Sequence, residues 1–285
     1  MSKLISVCVI LAVLSVAVIA AVYPASAPAA PPKIKRDFDE TLHKKCIYPT
    51  IRVSTEDVGQ KGTGFIVRSD KVGDCYHNVA ITCYHCIRYK LLFYQVGVAV
   101  YEDGTDFVKW DEFRCQLYAW SEEHDLAVIV FKTPYPVSVA KMNFDQKICV
   151  GNDIVHFGCG MGDEQPRFDK GQVTSTRSKV GGHDQFVYRA NMFAIFGDSG
   201  GPAFYKNKVV GVMQAIKVGK FKMFPMPLPQ ISFYIPIGQL KVMDTEQNNA
   251  LRFLYTPRTG LPKRPYAELN FMFDWPKFET DYWEE

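Results

Sequence analysis

The feature that most constrains the fold of this chain is a series of short strand-like runs between Ile47 and Ile237. Val, Ile, Phe and Tyr dominate these runs, and Gly, Asp, Asn and Pro separate them. No segment in this part of the chain has a long helical period. The runs are Thr63–Val67, Asn78–Thr82, Leu91–Val100, Asp125–Phe131, Asp153–Phe157, Phe186–Ala190, Lys208–Ile216 and Ile231–Ile237. Many short strands at this spacing predict an all-β barrel or sandwich.

The predicted β body is divided near its middle and carries different segments at its two ends. The Pro-containing sequence Thr133–Pro136 separates two comparable halves. The first helical pattern of the body comes late, at Gln239–Leu254, and an aromatic and acidic tail follows it. We therefore expect a leader or anchor with a Pro/Ala spacer over residues 1–32, a folded domain over 40–245, and a C-terminal helix and tail over 246–285.

Composition supports a globular body and argues against nucleic acid as a partner. Hydrophobic residues make up 47% of the chain and charged residues 22%, which is enough apolar material for a sizeable core. The formal net charge is only +3, and no patch of interleaved basic and aromatic residues is present. A polyanionic partner is therefore not expected.

An uncharged apolar run, Ile5–Val22, precedes the β body and is long enough to cross a membrane as a helix. The small residues of Ala25–Ala27 also fit a signal-peptide cleavage site, so a retained anchor and a removed leader are both open. If the run is retained, the positive charges at 33, 35 and 36 favour a body on the cytoplasmic side. We expect an N-terminal hydrophobic helix and a membrane-associated or secreted protein, with the side of the membrane left open.

The sequence most informative about chemistry is Phe196–Pro202, which reads Phe-Gly-Asp-Ser-Gly-Gly-Pro. A serine hydroxyl is a poor nucleophile, so it must be presented on a tight turn beside a base and beside donors for an oxyanion. Glycines on both sides of Ser199 permit such a turn. They also let the amides of Gly197 and Ser199 converge on one point. This motif resembles the nucleophile motif of the trypsin-like serine proteases.

Two further motifs of that family occur upstream in the expected order. Ala80–Cys86 resembles the histidine motif, with Tyr84 where the family usually has a small residue. Ser121–Val130 resembles the Asp-Leu-Ala segment, in which Asp125 begins a buried strand. The resemblance implies a catalytic triad of His85, Asp125 and Ser199, and an oxyanion hole formed by Gly197 and Ser199. It also implies a chymotrypsin-like fold of two six-stranded antiparallel β-barrels with the active site between them.

Weaker similarities extend the resemblance to HtrA-type proteases. They lie at Gly171–Ser175, Val209–Ile216 and Ser232–Pro236. Too few residues follow Thr245 for the peptide-binding domain that HtrA proteins append. The secreted trypsins begin with an Ile-Val-Gly-Gly-like terminus after a basic residue, and the sequence has no such site. We therefore expect activity without cleavage to create a new amino terminus.

The family resemblance also places the pocket for the substrate residue before the scissile bond. Its floor would come from Phe193 and Ala194, and one wall from Gln214, Ala215 and Ile216. None of these side chains is charged, and a buried unpaired charge among them would be costly. We expect cleavage after small or medium aliphatic residues, with a protein or peptide as substrate and no metal or organic cofactor.

The cysteines favour buried thiols over a disulfide framework. Seven lie outside the apolar run, an odd number, so at least one is unpaired in a monomer. The secreted trypsin-like enzymes usually bond the cysteine after the catalytic histidine to the preceding strand. Here the strand segment Gly62–Phe65 offers no partner for Cys86. We interpret most of these cysteines as small buried hydrophobes.

Four alternatives remain open at this point. The sequence Cys83–Cys86 contains half of a zinc-site pattern, but no second ligand pair follows at suitable spacing. A membrane segment, a chymotrypsin-like protease and a short tail are also the arrangement of sobemovirus-like polyprotein proteases, which are anchored in membranes. The third alternative is a non-catalytic binding module on a protease fold. The fourth is a membrane-tethered scaffold that recruits partners through its tail.

Overall fold

The computed structural model describes residues 40–54, 61–88, 94–102, 106–162, 165–181, 183, 185–221, 224–246 and 251–254. All of them belong to one compact unit, Asp39–Glu285. The predicted N-terminal hydrophobic helix, the leader and spacer of 1–32, and the tail beyond 254 lie outside these residues. Within the described ranges, no helix is both long and apolar enough to cross a membrane.

Six strands form a first closed antiparallel barrel. They are β1 (Thr50–Ser54), β2 (Lys61–Val72), β3 (Cys75–Thr82), β4 (Tyr94–Glu102), β5 (Asp106–Ser121) and β6 (Leu126–Thr133). Their order around the barrel is β1-β2-β3-β6-β5-β4. The almost continuous apolar strand β6 lies between β3 and β5, and most of its residues are buried. The predicted all-β body is confirmed for this half of the chain.

Six more strands form a second closed antiparallel barrel. They are β7 (Asp153–Gly158), β8 (Arg167–Ser178), β9 (Val187–Ala190), β10 (Pro202–Tyr205), β11 (Lys208–Phe221) and β12 (Phe224–Pro236). Their order is β10-β11-β12-β9-β8-β7. The segment from 134 to 152 joins the two barrels, so the predicted division near Thr133–Pro136 falls where the first barrel ends.

Two clusters of buried apolar side chains fill the barrels, and the larger one extends from the first barrel to residues of the second, such as Phe157 and Phe204. Ile51, Phe65, Ile81 and Ile129 are fully buried in the cluster that fills the first barrel. A separate cluster fills the second barrel, and its buried members include Ile154, Val173, Val210 and Tyr234. Because closure leaves few strand edges exposed, each barrel is a rigid support for the loops at its rim.

The helices are short and lie at the ends of the described chain. A turn of α-helix, α1 (Glu40–Leu42), runs into a π-helical turn at His43–Ile47. The C-terminal helix α2 spans Gln239–Glu246, and a separate 3-10 turn follows at Arg252–Leu254. The predicted continuous helix Gln239–Leu254 was therefore too long. The amide of Leu251 donates to the buried Asp244 side chain at 2.5 Å.

Candidate active site

The turn before β6 presents Asp125 to the histidine motif. Asp125 has φ of 51°, a left-handed conformation that Asp adopts more readily than most residues other than Gly. Its carbonyl accepts a hydrogen bond from the amide of Tyr84 at 3.2 Å. Its carboxylate accepts one from the amide of His85 at 2.9 Å. The backbone amides of Tyr84 and His85 thus hold both the carbonyl and the carboxylate of Asp125 in place.

The imidazole of His85 pairs with the same carboxylate. Nδ1 of His85 lies 2.8 Å from Oδ2 and 3.0 Å from Oδ1 of Asp125. A carboxylate can only accept, so Nδ1 carries a proton, and in the neutral ring Nε2 is the basic nitrogen. Burial acts to lower the pKa of His85, but the contacts with Asp125 and Cys86 outweigh it and raise the pKa to about 10. The site therefore favours a charged imidazole strongly.

A tight turn between β9 and β10 carries Ser199, and we call residues 197–200 the serine turn. Gly197 and Gly200 have φ of 100° and 87°, which residues with a side chain rarely adopt. A Cβ on Gly200 would lie 2.0 Å from the carbonyl oxygen of Thr63, so only glycine fits there. The Ser199 hydroxyl donates to the carbonyl of Gln214 at 3.4 Å. This bond is long for a hydroxyl donor and holds the side chain only weakly.

Thr63 of β2 connects the first barrel to the serine turn. Its amide donates to the carbonyl of Ser199 at 2.8 Å. Its hydroxyl donates to the carbonyl of Gly197 at 2.7 Å and accepts from the amide of Cys159 at 2.7 Å. Cys86 adds a thiol contact of 3.5 Å to the Ser199 carbonyl. These contacts place Ser199 against the loop that carries His85.

Two amides of the serine turn are unpaired among the described residues, those of Gly197 and Ser199. The carbonyl of Phe196 accepts from the amide of Met161 at 2.6 Å, and the carbonyl of Asp198 accepts from the amide of Gly201 at 3.0 Å. In a trans peptide the N–H points opposite to the C=O. The Gly197 N–H therefore points away from Met161, and the Ser199 N–H points away from the Gly201 amide. Both N–H groups are left available to an incoming oxygen.

Asp198, between those two amides, is fully buried and ionically paired. Its carboxylate accepts from the amide of Ile195 at 2.8 Å and forms an ion pair with Arg167 of β8. Arg167 could not be identified from the sequence, because it lies 31 residues upstream of Asp198 and outside every motif recognised there. Arg167 also lies over the ring of Phe193, with its guanidinium carbon 5.0 Å from the ring centroid.

The cysteines near the triad are thiols in packed surroundings. Among the described residues, Cys83 and His85 of the zinc-like sequence come together with Asp125, and the ligand atoms of the three lie within 4.8 Å of one another. Burial and the nearby Asp125 raise the pKa of Cys83, and its thiol donates to the carbonyl of Met213 at 3.0 Å. A metal needs the thiolate and a free imidazole nitrogen. Since Nδ1 of His85 already pairs with Asp125 and the Cys83 thiol already donates to Met213, these contacts do not favour a metal site.

All seven described cysteines are free, and five of them are buried. Gly62 lies directly against Cys86, since a Cβ on Gly62 would be 2.7 Å from that sulfur. Strand β2 thus places a glycine where a disulfide partner of Cys86 would have to be. The interpretation of most of these residues as buried apolar side chains is confirmed.

The residues predicted to form the specificity pocket lie in different surroundings. Ala194 is buried in the core cluster of the second barrel, and Ile216 packs against that cluster. Phe193 is 42% exposed beneath Arg167. Gln214 and Ala215 instead line a cleft that also contacts His85 and Asp125. The roles assigned to these five residues remain predictions.

This cleft has a volume of about 590 Å³ and lies between the barrels. His85 and Asp125 line it from the first barrel, and Gln214 and Ala215 line it from the second. Glu122 and Glu123, in the turn before Asp125, line it as well. Both glutamates stand within the Asp motif Ser121–Val130, but nothing in the sequence assigned them to the site.

Comparisons with known proteins agree with this geometry. A family model described as Trypsin-like peptidase domain matches residues 62–212, just over half of the chain. The chain also resembles the crystal structure of Rv3671c from M. tuberculosis H37Rv, an inactive form with serine replaced by alanine. The match has a TM-score of 0.52 and 14% identity, and covers 73% of this chain and 89% of that one. At this identity the likeness concerns the fold alone. No curated protein matches the sequence. The chain belongs to the family of trypsin-like peptidase domains.

Proposed function

We propose that this protein is a serine endopeptidase in which His85, Asp125 and Ser199 form the catalytic triad. The observation that carries the proposal is the contact of Nδ1 of His85 with both carboxylate oxygens of Asp125. This contact leaves Nε2 as the base, on a loop that Cys86 joins to the backbone of Ser199. These contacts support the base and its orienting carboxylate, two of the parts that acyl transfer by a serine uses.

The reaction begins with rotation of the Ser199 hydroxyl from its weak bond with Gln214 toward Nε2 of His85. His85 takes the hydroxyl proton while Oγ attacks the scissile carbonyl. The resulting imidazolium then protonates the leaving amine, and an acyl-enzyme remains on Ser199. Water, activated by His85, hydrolyses that ester. Asp125 keeps the imidazole in the required tautomer and stabilises its charged form throughout.

The unpaired amides of Gly197 and Ser199 support an oxyanion hole in the serine turn. Negative charge develops on the carbonyl oxygen during the attack, and preorganised donors stabilise it without having to reorient. One such donor is typically worth about 3 kcal/mol of transition-state stabilisation. The proposed chemistry uses no metal or organic cofactor.

We further propose cleavage after small or medium aliphatic residues of a protein or peptide. Support comes from the absence of charge in Phe193, Ala194, Gln214, Ala215 and Ile216. One methylene changes discrimination by only about 1–3 kcal/mol, so the choice among aliphatics should be broad. A peptide-library profile dominated by Lys, Arg, Glu or Gln before the scissile bond would contradict this assignment.

A fluorophosphonate probe tests the nucleophile directly. The expected adduct is a phosphonyl ester on Ser199, located by mass spectrometry of the digested protein. The variant His85→Ala should react far more slowly because no base then activates the hydroxyl. An adduct on another serine, or equal labelling of the His85→Ala variant, would contradict the proposal.

A further inference from the structure

The cleft beside His85 carries negative charge at its mouth. Glu122 and Glu123 are exposed in the turn that ends at Asp125. The amide of Asp125 donates to the carbonyl of Glu122 at 3.3 Å, and Nδ1 of His183 donates to the carbonyl of Glu123 at 3.1 Å. These bonds hold the backbone of Glu122 and Glu123 beside the cleft, which both residues line.

Positive charge at the cleft is smaller. Arg88 lines it too, and Arg88 has interactions of its own within the chain. Asp125 is paired with His85. The charges that remain to act on a substrate are the carboxylates of Glu122 and Glu123 and the guanidinium of Arg88. The cleft is therefore net acidic where it opens to solvent.

An aromatic wall adjoins these carboxylates. Tyr84 lines the cleft, and its ring stacks on Trp120, with centroids 6.5 Å apart and an interplanar angle of 13°. Trp120 is 47% exposed. Aromatic faces attract ammonium and guanidinium groups, and they also pack well against the aliphatic stems of Lys and Arg.

Gln214 is an independent indication that the cleft binds a polar group. Its side chain lines the cleft at 4% exposure, yet neither its amide oxygen nor its amide nitrogen has a hydrogen-bond partner in the described structure. A β-bulge in β11 explains its position, since the strand pairing shifts between Met213 and Ala215. Burying an amide without hydrogen-bond partners costs free energy, and a ligand that donates to the amide oxygen removes the cost at that atom.

We propose that this cleft binds a Lys or Arg side chain of the substrate near the scissile bond. The cationic head lies at Glu122 and Glu123, the stem packs along Tyr84, and the amide oxygen of Gln214 accepts a hydrogen bond from the substrate. This inference rests on the proposed peptidase function and adds a second determinant to it. The preferred substrate then combines an aliphatic residue before the cut with a basic residue close by.

The test uses peptides that share an aliphatic residue before the scissile bond. Lys, norleucine and Glu are placed in turn at each flanking position, and kcat/KM is measured. At one position Lys should exceed norleucine by about tenfold, as one charge-assisted hydrogen bond would give. The advantage should shrink as salt is raised.

Variants then locate the determinant. The Lys-to-norleucine ratio should fall toward one in Glu122→Gln/Glu123→Gln, and Glu123→Lys should favour the Glu peptide instead. Glu102→Gln, at the exposed end of β4, removes the same charge elsewhere and should keep the wild-type ratio. Cleavage of all peptides without a Lys preference, or a preference that survives in the double variant, overturns this inference alone. No cleavage of any peptide overturns the proposed function as well.

Discussion

The carboxylate of Asp198 has no exposed surface and forms an ion pair with Arg167, whose side chain is 26% exposed at the rim of β8. Asp198 is the residue between the two that supply the amides of the proposed oxyanion hole. Removing one partner of a buried pair leaves an uncompensated charge, which costs about 3–5 kcal/mol. The shape of the serine turn therefore depends on an arginine from another strand.

The variant Arg167→Gln should destabilise the protein by about 3–5 kcal/mol and lower the fraction of molecules that react with a fluorophosphonate. Urea unfolding measures the first effect, and active-site titration of folded protein measures the second. Arg177→Gln is the matched control, since Arg177 lies on the same strand and its guanidinium stacks over exposed Phe186. If both variants titrate like the wild type, Arg167 does not hold the turn.

Activation should need no new amino terminus inside the barrels. The positive charge beside Asp198 already comes from within the chain, from Arg167. A chain that begins at Lys33 should hydrolyse peptides without further trimming. The measurement is activity together with the intact mass of the active species. Activity that appears only after cleavage between residues 46 and 58 would refute this expectation.

Thr63→Val should impair catalysis more than it alters the fold. The substitution preserves the shape of the side chain but leaves the Gly197 carbonyl and the Cys159 amide without their shared hydroxyl. Each buried unpaired group costs about 1–3 kcal/mol, so the serine turn should loosen and kcat should fall by at least tenfold. Thr63→Ser keeps the hydroxyl and should restore most of the activity. Equal rates for Val and Ser at this position would contradict the role of Thr63.

The pH dependence should show a base whose pKa lies above the ordinary value of 6.5. Contacts with Asp125 and Cys86 raise the pKa of His85 to about 10 against the effect of burial. Only neutral imidazole accepts the Ser199 proton, so kcat/KM should rise with pH between 6.5 and about 10. The same shift stabilises the folded state fully below pH 6.5, and this stabilisation is lost as the pH rises through the folded pKa.

Asp125→Asn tests the cause of that shift. Without the carboxylate the rising limb should move to lower pH, and kcat should fall by about 10⁴, as in a related triad with the wrong tautomer. Rates measured across pH for both proteins decide the point. A limb that stays in place in Asp125→Asn would show that Asp125 does not set the His85 pKa.

The sequence predicted the strands with strong apolar runs and missed those without them. Strand β6, Leu126–Thr133, is almost wholly buried and was readily recognised. Strand β5 is long, rich in charged residues and largely exposed or half-buried, so its pattern gave no clear signal. The β11–β12 hairpin is also longer than predicted. Prolines at 225, 227 and 229 argue against a strand here, but residues 224–227 nevertheless pair with β11.

The candidate site divides in the same way. His85, Asp125 and Ser199 stand in local motifs, so they could be named before any fold was known. Arg167 and Thr63 act on the serine turn across long sequence distances and belong to no motif. Their roles depend on which strands the two barrels bring together, and only the structure shows those contacts.

The most direct test of the central claim is peptide hydrolysis by purified Ser199→Ala beside the wild type. If Ser199 is the nucleophile, kcat should fall by about 10⁶, as in related triads, and fluorophosphonate labelling should disappear. Ser178→Ala, which removes a hydroxyl at the end of β8, should behave as wild type and serves as the control. Hydrolysis by Ser199→Ala at a rate near that of the wild type would contradict the assignment of a serine peptidase built on this triad.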